Sequence, residues 1–442
     1  MSSREKSICK KGFILGLPVI GLVALLAGCA VLLEGGSSDS RGTEELQNRF
    51  TVPPQVSPPG EIQSVQLYRS GSPLNPPVIR LGSGEQLTLA FDYLGSSAKQ
   101  FIARVQHYSS RWSESGLNPN FYIDGFFEDY FGGGLKSFSQ RPSYYHFEYA
   151  FPNPQFSLEV SGNYLLSIHD ADSGELLFTL PFFVSEEEGT LQTRVDKLFA
   201  RRNDLREQDQ LFSRYRYPGF VEMPSFDLKF YYVQNRFWGR AKSVELFDTS
   251  TPGAVHFHLS QEESFLGDYE FRTLDIRTLR ADGNRIISFE PGATPPRIVL
   301  RRDVQSFSPD LISRRLPRPG FGIPIDKRDA QYAEIEFRLE TRENGAGASG
   351  QKIYLVGDFN DWTISERNRL EFDEIENLWS GRAMAKQGEY AYKYVTLEDN
   401  RINDLSLDRS FTFTRQEYVT LVYFRDPTRH FDRLLRVAHT PN

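Results

Sequence analysis

Between residue 61 and about 184, apolar and polar residues alternate in short runs at 64–68, 86–92, 101–105, 145–151, 156–160, 164–169 and 176–184, broken by Gly, Pro, Asn and Asp. A period of two sends successive side chains to opposite faces, so each run predicts a half-buried strand, and this spacing predicts a sandwich. A second alternating block follows at 227–233, 243–247, 254–259, 269–279 and 285–289, and a third at 333–339, 352–356, 390–397 and 418–424. The expected fold is mostly β: three tandem β-sandwich domains, immunoglobulin-like or early-set-like, at 61–185, 225–305 and 329–442. No residue-level repeat relates them.

The stretches between the blocks read differently. In 186–224, Glu186-Glu187-Glu188 precedes Leu191, Val195, Leu198, Phe199, Leu205 and Leu211 amid dense charge, which predicts a charged connector. Residues 306–328 contain Arg314-Arg315-Leu316-Pro317-Arg318-Pro319 and predict an extended linker of polyproline character.

The first 28 residues read as a lipoprotein signal peptide. Arg4, Lys6, Lys10 and Lys11 precede an apolar run over 12–27 that is too short and Gly-rich for a comfortable span. The run ends in Leu26-Ala27-Gly28-Cys29, which matches the bacterial lipobox, so cleavage would leave Cys29 as a diacylated N-terminus. Several buried acyl carbons, at roughly 0.8 kcal/mol each, then hold the chain at the membrane without a protein span. Ala30 follows in place of Asp, and no acidic run adjoins the cysteine. The expected location is therefore the outer membrane, lipid-anchored on the periplasmic side, with 29–60 as a flexible tether.

Composition narrows the function classes. Aromatic residues make up 14% of the chain, with 35 Phe and 21 Tyr against 3 Met, a mix suited to pleated sheets. The formal charge is −7, and the four bases before Cys29 against Glu5 give the signal +3, leaving about −10 on the mature chain. Such a surface does not seek phosphate backbones, so no nucleic-acid partner is expected. Cys9 and Cys29 are the only cysteines, which excludes a disulfide or a cysteine metal site in the mature chain. His256 and His258 would share a strand face but lack a nearby third ligand, and no metal is expected there. No nucleophile elbow, zincin, phosphate-loop or dinucleotide motif occurs, so neither enzyme activity nor a cofactor is expected.

One segment concentrates aromatics: Phe121-Tyr122-Ile123-Asp124-Gly125-Phe126-Phe127-Glu128-Asp129-Tyr130-Phe131, beside Gly132-Gly133-Gly134. Adjacent rings on a strand face opposite ways, so some of these point outward. Tyr122, Phe126, Phe127, Tyr130 and Phe131 are the candidates for a partner-binding edge.

Two resemblances follow from longer motifs. Residues 77–87 (Pro-Val-Ile-Arg-Leu-Gly-Ser-Gly-Glu-Gln-Leu), Phe91-Asp92, His107 with Trp112, Tyr122 with Gly125-Phe126, Tyr145-His146-Phe147, Phe151-Pro152-Asn153 and Ser161-Gly162-Asn163-Tyr164 resemble the N-terminal domain of type IX secretion system plug proteins of Bacteroidetes and relatives. Gln234-Asn235-Arg236-Phe237, Tyr269-Glu270-Phe271-Arg272, Asp275-Ile276-Arg277 and 418–427 are similar to the same family. The resemblance implies a non-catalytic plug or gating subunit that seals the periplasmic mouth of the giant outer-membrane β-barrel translocon, its principal partner.

The second resemblance is local: Tyr354-Leu355-Val356-Gly357-Asp358-Phe359-Asn360-Asp361-Trp362, with Trp379 and 388–395, is similar to glycogen-binding early-set modules. It implies Trp362, Trp379 and Lys393 as glycan-binding residues of an outer-membrane glycan-binding lipoprotein, the alternative function. The preferred expectation keeps the fold of that module without its sugar.

Overall fold

Strand alternation governs the first domain down to single residues: in Leu87–Tyr93, Leu87, Leu89 and Phe91 are buried in one core, while Asp92 leaves from the opposite face. The structure is a computed structural model. It describes residues 46–442 except 140, 199–207, 268–270, 306–327, 343–349, 351, 408–415 and 442. Cys29, the signal peptide, the tether before residue 46 and almost all of the proposed Pro/Arg linker lie outside the described residues.

The described chain is mostly β and forms three sandwiches. In the first, sheet I orders Ile62–Arg69, Leu87–Tyr93, Tyr145–Phe151 and Leu135–Lys136. Sheet II orders Val78–Arg80, Leu176–Ser185, Gly162–Asp170, Phe101–Tyr108 and Asp129–Phe131. Their inner faces close on a Phe-rich core in which Phe91 stacks on Phe147 at 5.3 Å and meets Phe101 edge-on at 5.1 Å.

In the second sandwich, sheet III joins Thr190–Leu198, Gln208–Arg216, Ala254–His258 and Leu246–Asp248. Sheet IV joins Lys242–Ser243, Leu228–Gln234, Glu417–Arg425 and Asp432–Pro441. In the third, sheet V holds Arg272–Asp275, Glu389–Glu398 and Ile353–Gly357. Sheet VI orders Ile286–Glu290, Arg297–Leu300, Tyr332–Glu340, Leu378–Lys386 and Glu371–Asp373.

Four sequence-based boundaries require correction. Within the charged stretch 186–224, Thr190–Leu198 and Gln208–Arg216 pair as antiparallel strands, so these residues are sheet and not connector. Its charges, such as Arg194 and Asp196, belong to an edge strand, where charge blunts unwanted pairing and masks the alternation. The C-terminal hairpin Glu417–Arg425 and Asp432–Pro441 belongs to the second sandwich, because Glu417–Arg425 pairs with Leu228–Gln234. Conversely, Arg272–Asp275, Ile286–Glu290 and Arg297–Leu300 belong to the third. Finally, residues 46–60 are seated against the body, with Phe50 and Val52 buried, and are no tether.

Sheet IV explains the C-terminal misassignment. Tyr418, Val422 and Phe424 face sheet III, whereas Val419, Leu421 and Tyr423 meet Tyr108, Leu165 and Phe183 on the outer face of sheet II. A strand covered on both sides reads as a continuous apolar run, and such a run carries no hint of which sheet will take it.

Polar groups fix the seams. Between the first and third sandwiches, Asp92 receives Tyr332 Oη at 2.6 Å and Lys386 Nζ at 2.8 Å, with His146 Nδ1 at 2.6 Å on its other oxygen. Between the first and second, Ser110 donates twice to Asp432 (3.0 and 2.8 Å), and Arg433 grips Glu186 through two bonds of 2.8 and 2.6 Å. Arg240 and Asp404, 2.8 Å apart, join the second and third.

Candidate functional site

Side by side, sheets I and II each end on a short strand from one segment: Asp129–Phe131 extends sheet II beside Phe101–Tyr108, and Leu135–Lys136 extends sheet I beside Tyr145–Phe151. The aromatic segment therefore wraps one open side of the first sandwich. It starts at the pair Ile123–Gly125 with Phe156–Leu158. Gly125 is required there: its φ is +111°, and a Cβ would fall 2.2 Å from the Gln155 carbonyl oxygen, which accepts the Phe126 N–H at 3.0 Å.

The wrap has an inward and an outward row. Asp129 is buried and accepts from Tyr149 Oη at 2.8 Å and Asn153 Nδ2 at 2.7 Å, which pins the edge strand. Phe131 is half-buried and stacks on Tyr149 at 4.5 Å. Tyr122 is buried beside His107 and Tyr164, and burial pushes its hydroxyl pKa up. Tyr122 and Phe131 thus serve packing.

The outward row is Phe126 at 65% exposed, Tyr130 at 60% and Phe127 at 44%. Phe121, Leu135 and Phe138, which sequence reasoning did not name among the candidates, are also exposed. Phe138 lies under the Arg328 guanidinium at 4.6 Å and donates its N–H to the Arg328 carbonyl. Phe126, Phe127 and Tyr130 are three exposed rings within five residues, suited to burial against another body.

The proposed glycan residues do not form such a surface. Trp379 is 3% exposed and Lys393 is 1% exposed, the latter within 4.0 Å of Asp404. Trp362 is half-buried among Phe50, Phe237 and Phe271, and its Nε1 donates to Asp358 at 3.0 Å. The third core encloses Trp379, and the seam between sandwiches takes Trp362, so the two rings do not form one exposed platform for the alternative glucan reading. His256 is exposed on its strand, while His258 stacks on Phe212 at 5.3 Å. Among the described residues no group of three or more His, Cys, Asp or Glu is placed to hold a metal ion.

Comparison with known proteins places this edge within a matched region. Residues 62–186 match the family described as type 9 secretion system plug protein 1st domain. No curated protein matches the chain. Among solved structures, the chain is similar to a hypothetical protein from Parabacteroides merdae ATCC 43184, with a TM-score of 0.76 and 22% identity, covering 90% of this chain and 100% of that one. That likeness is one of fold. A structure of manganese lipoxygenase of Gaeumannomyces graminis with part of a zonadhesin of Komagataella pastoris reaches a TM-score of only 0.14 at 8% identity, over 87% of this chain and 94% of that one, and carries no argument.

Proposed function

We propose that this chain, whose residues 62–186 match the type 9 secretion system plug protein 1st domain, is a non-catalytic plug that seals the periplasmic mouth of the giant outer-membrane β-barrel translocon. The domain match is the observation that carries the reading, and it supports a type IX secretion-associated role of a structural, non-catalytic kind. An aqueous barrel wide enough for folded cargo leaks small solutes unless a folded body fills its opening. Three sandwiches joined by buried carboxylate contacts at each seam suit that task, since a body that flexed between modules would leave gaps. The exposed row Phe126, Phe127 and Tyr130 is the surface that meets the barrel in this reading.

Diacylated Cys29 holds the plug at the inner side of the outer membrane, where confinement raises its effective concentration near the barrel without any added contact. Gentle detergent extraction followed by affinity purification of the full chain tests the proposal. The giant barrel protein is expected in the eluate, and its consistent absence overturns the reading. Deletion of the chain is expected to raise outer-membrane permeability to large antibiotics. The glycan-binding alternative finds no support in the burial of Trp379 and Lys393.

A further inference from the structure

Residues 46–60 touch all three sandwiches in turn. On the third, the Gln47 N–H donates to Asn400 O at 2.8 Å, the Ile402 N–H donates back to Gln47 O at 3.1 Å, and Ser57 Oγ donates to Thr363 Oγ1 at 3.1 Å. On the second, the Gly239 N–H donates to Phe50 O at 3.1 Å and Arg240 Nε donates to Asn48 O at 3.0 Å. On the first, Val56 and Thr179 exchange bonds of 2.8 and 3.0 Å.

Two side chains enter the seams themselves. Phe50 lies 4.7 Å from Phe237 of the second sandwich and 5.5 Å from Trp362 of the third, with the Arg240 guanidinium 3.6 Å above its ring. Val52, fully buried, joins the cluster of Tyr108 and Phe183 with Tyr231 and Leu421, between the first and second. The approach is close: a Cβ at Gly239 would fall 2.0 Å from Thr51 O.

An open cleft of about 270 Å³ borders the segment, lined by its Phe50, Thr51 and Gln55 and by Leu67, Arg236 and Trp362, one from each sandwich. Along the cleft the segment faces solvent, so its two buried side chains and its hydrogen bonds hold it in place. Gln55 Nε2 spans to the Asp361 carboxylate and closes the end of the run.

We propose that residues 46–60 are a removable clasp: seated, they hold the three sandwiches as one body, and withdrawn, they open the two seams that Phe50 and Val52 fill. The clasp lies on the N-terminal side of every sheet, so tension applied from the N-terminal direction acts on it before it reaches any sandwich core.

Amide hydrogen exchange on the full-length protein tests the clasp without the translocon. Phe50→Ala is expected to speed exchange at Thr179, Gly239 and Ile402 together, by tenfold or more, while Leu166 and Val422 in the sheet interiors keep the wild-type rate. Acceleration confined to Gly239, or one common rate for the whole chain, overturns the proposal. Gln55→Cys with Asp361→Cys, joined by a short bismaleimide, provides the reverse measurement. The cross-linked protein should exchange these three amides more slowly than the wild type; failure to cross-link, or cross-linking without slowing, also overturns it.

Discussion

His107 shows how one residue couples the local fold to a seam. Its ring is 1% exposed, packs against Tyr164 and Phe431, and contacts the Ser161 carbonyl through Nε2 at 3.1 Å. Burial lowers its pKa from 6.5 to about 4, against the opposing pull of the Ser161 carbonyl and the Asp432 charge. The fold thus holds His107 neutral while the unfolded chain binds a proton below pH 6.5, so stability is lost as pH falls from about 6.5 to about 4. By linkage the loss reaches roughly 3 kcal/mol. Urea denaturation at several pH values should show this acid limb, and His107→Gln should flatten it.

At the scale of elements, the edge and the clasp carry separable expectations. Phe126→Ser, Phe127→Ser and Tyr130→Ser together remove exposed rings that support no core. Each change should alter stability by no more than about 0.5 kcal/mol in denaturant titrations, while recovery of the barrel protein falls. The clasp responds to pH through Asp361, whose carboxyl burial pushes up to about 7 while Gln55 pulls it down; Asp358, Arg236 and Glu417 line the same cleft. A carboxyl protonated in the fold and ionised when unfolded contributes stability that declines as pH rises from about 4 to about 7. Protection at Thr179 and Ile402, taken as the ratio of intrinsic to observed exchange rate, should therefore fall over that range, and Asp361→Asn should hold it level.

For the whole molecule, the seam carboxylates decide whether the sandwiches unfold together. Asp92→Ala removes the group that Lys386, Tyr332 and His146 converge on, leaving buried polar groups without their carboxylate. Loss of one partner in such a buried cluster costs about 3–5 kcal/mol. Calorimetry of the variant should split the wild-type transition, with the third sandwich melting apart from the other two.

The period-two pattern by itself determined that the chain is a set of sheets, because alternation and burial on one face are two statements of the same geometry. It also marked 121–131 as an edge with rings to spare, since consecutive aromatics on a strand cannot all face one core. Only the tertiary structure decided which rings those are: Tyr122 and Phe131 turn inward, whereas Phe126, Phe127 and Tyr130 stay exposed. It likewise returned Glu417–Arg425 to the second sandwich, paired Thr190–Leu198 into a sheet and drew residues 46–60 across three modules. Trp379 and Lys393, which a local motif offered only as alternative sugar ligands, are interior groups by the same route. Local sequence fixes which face of a strand is apolar, but the partner that covers the face is chosen by long-range packing, and no window along the chain contains both sides of that contact.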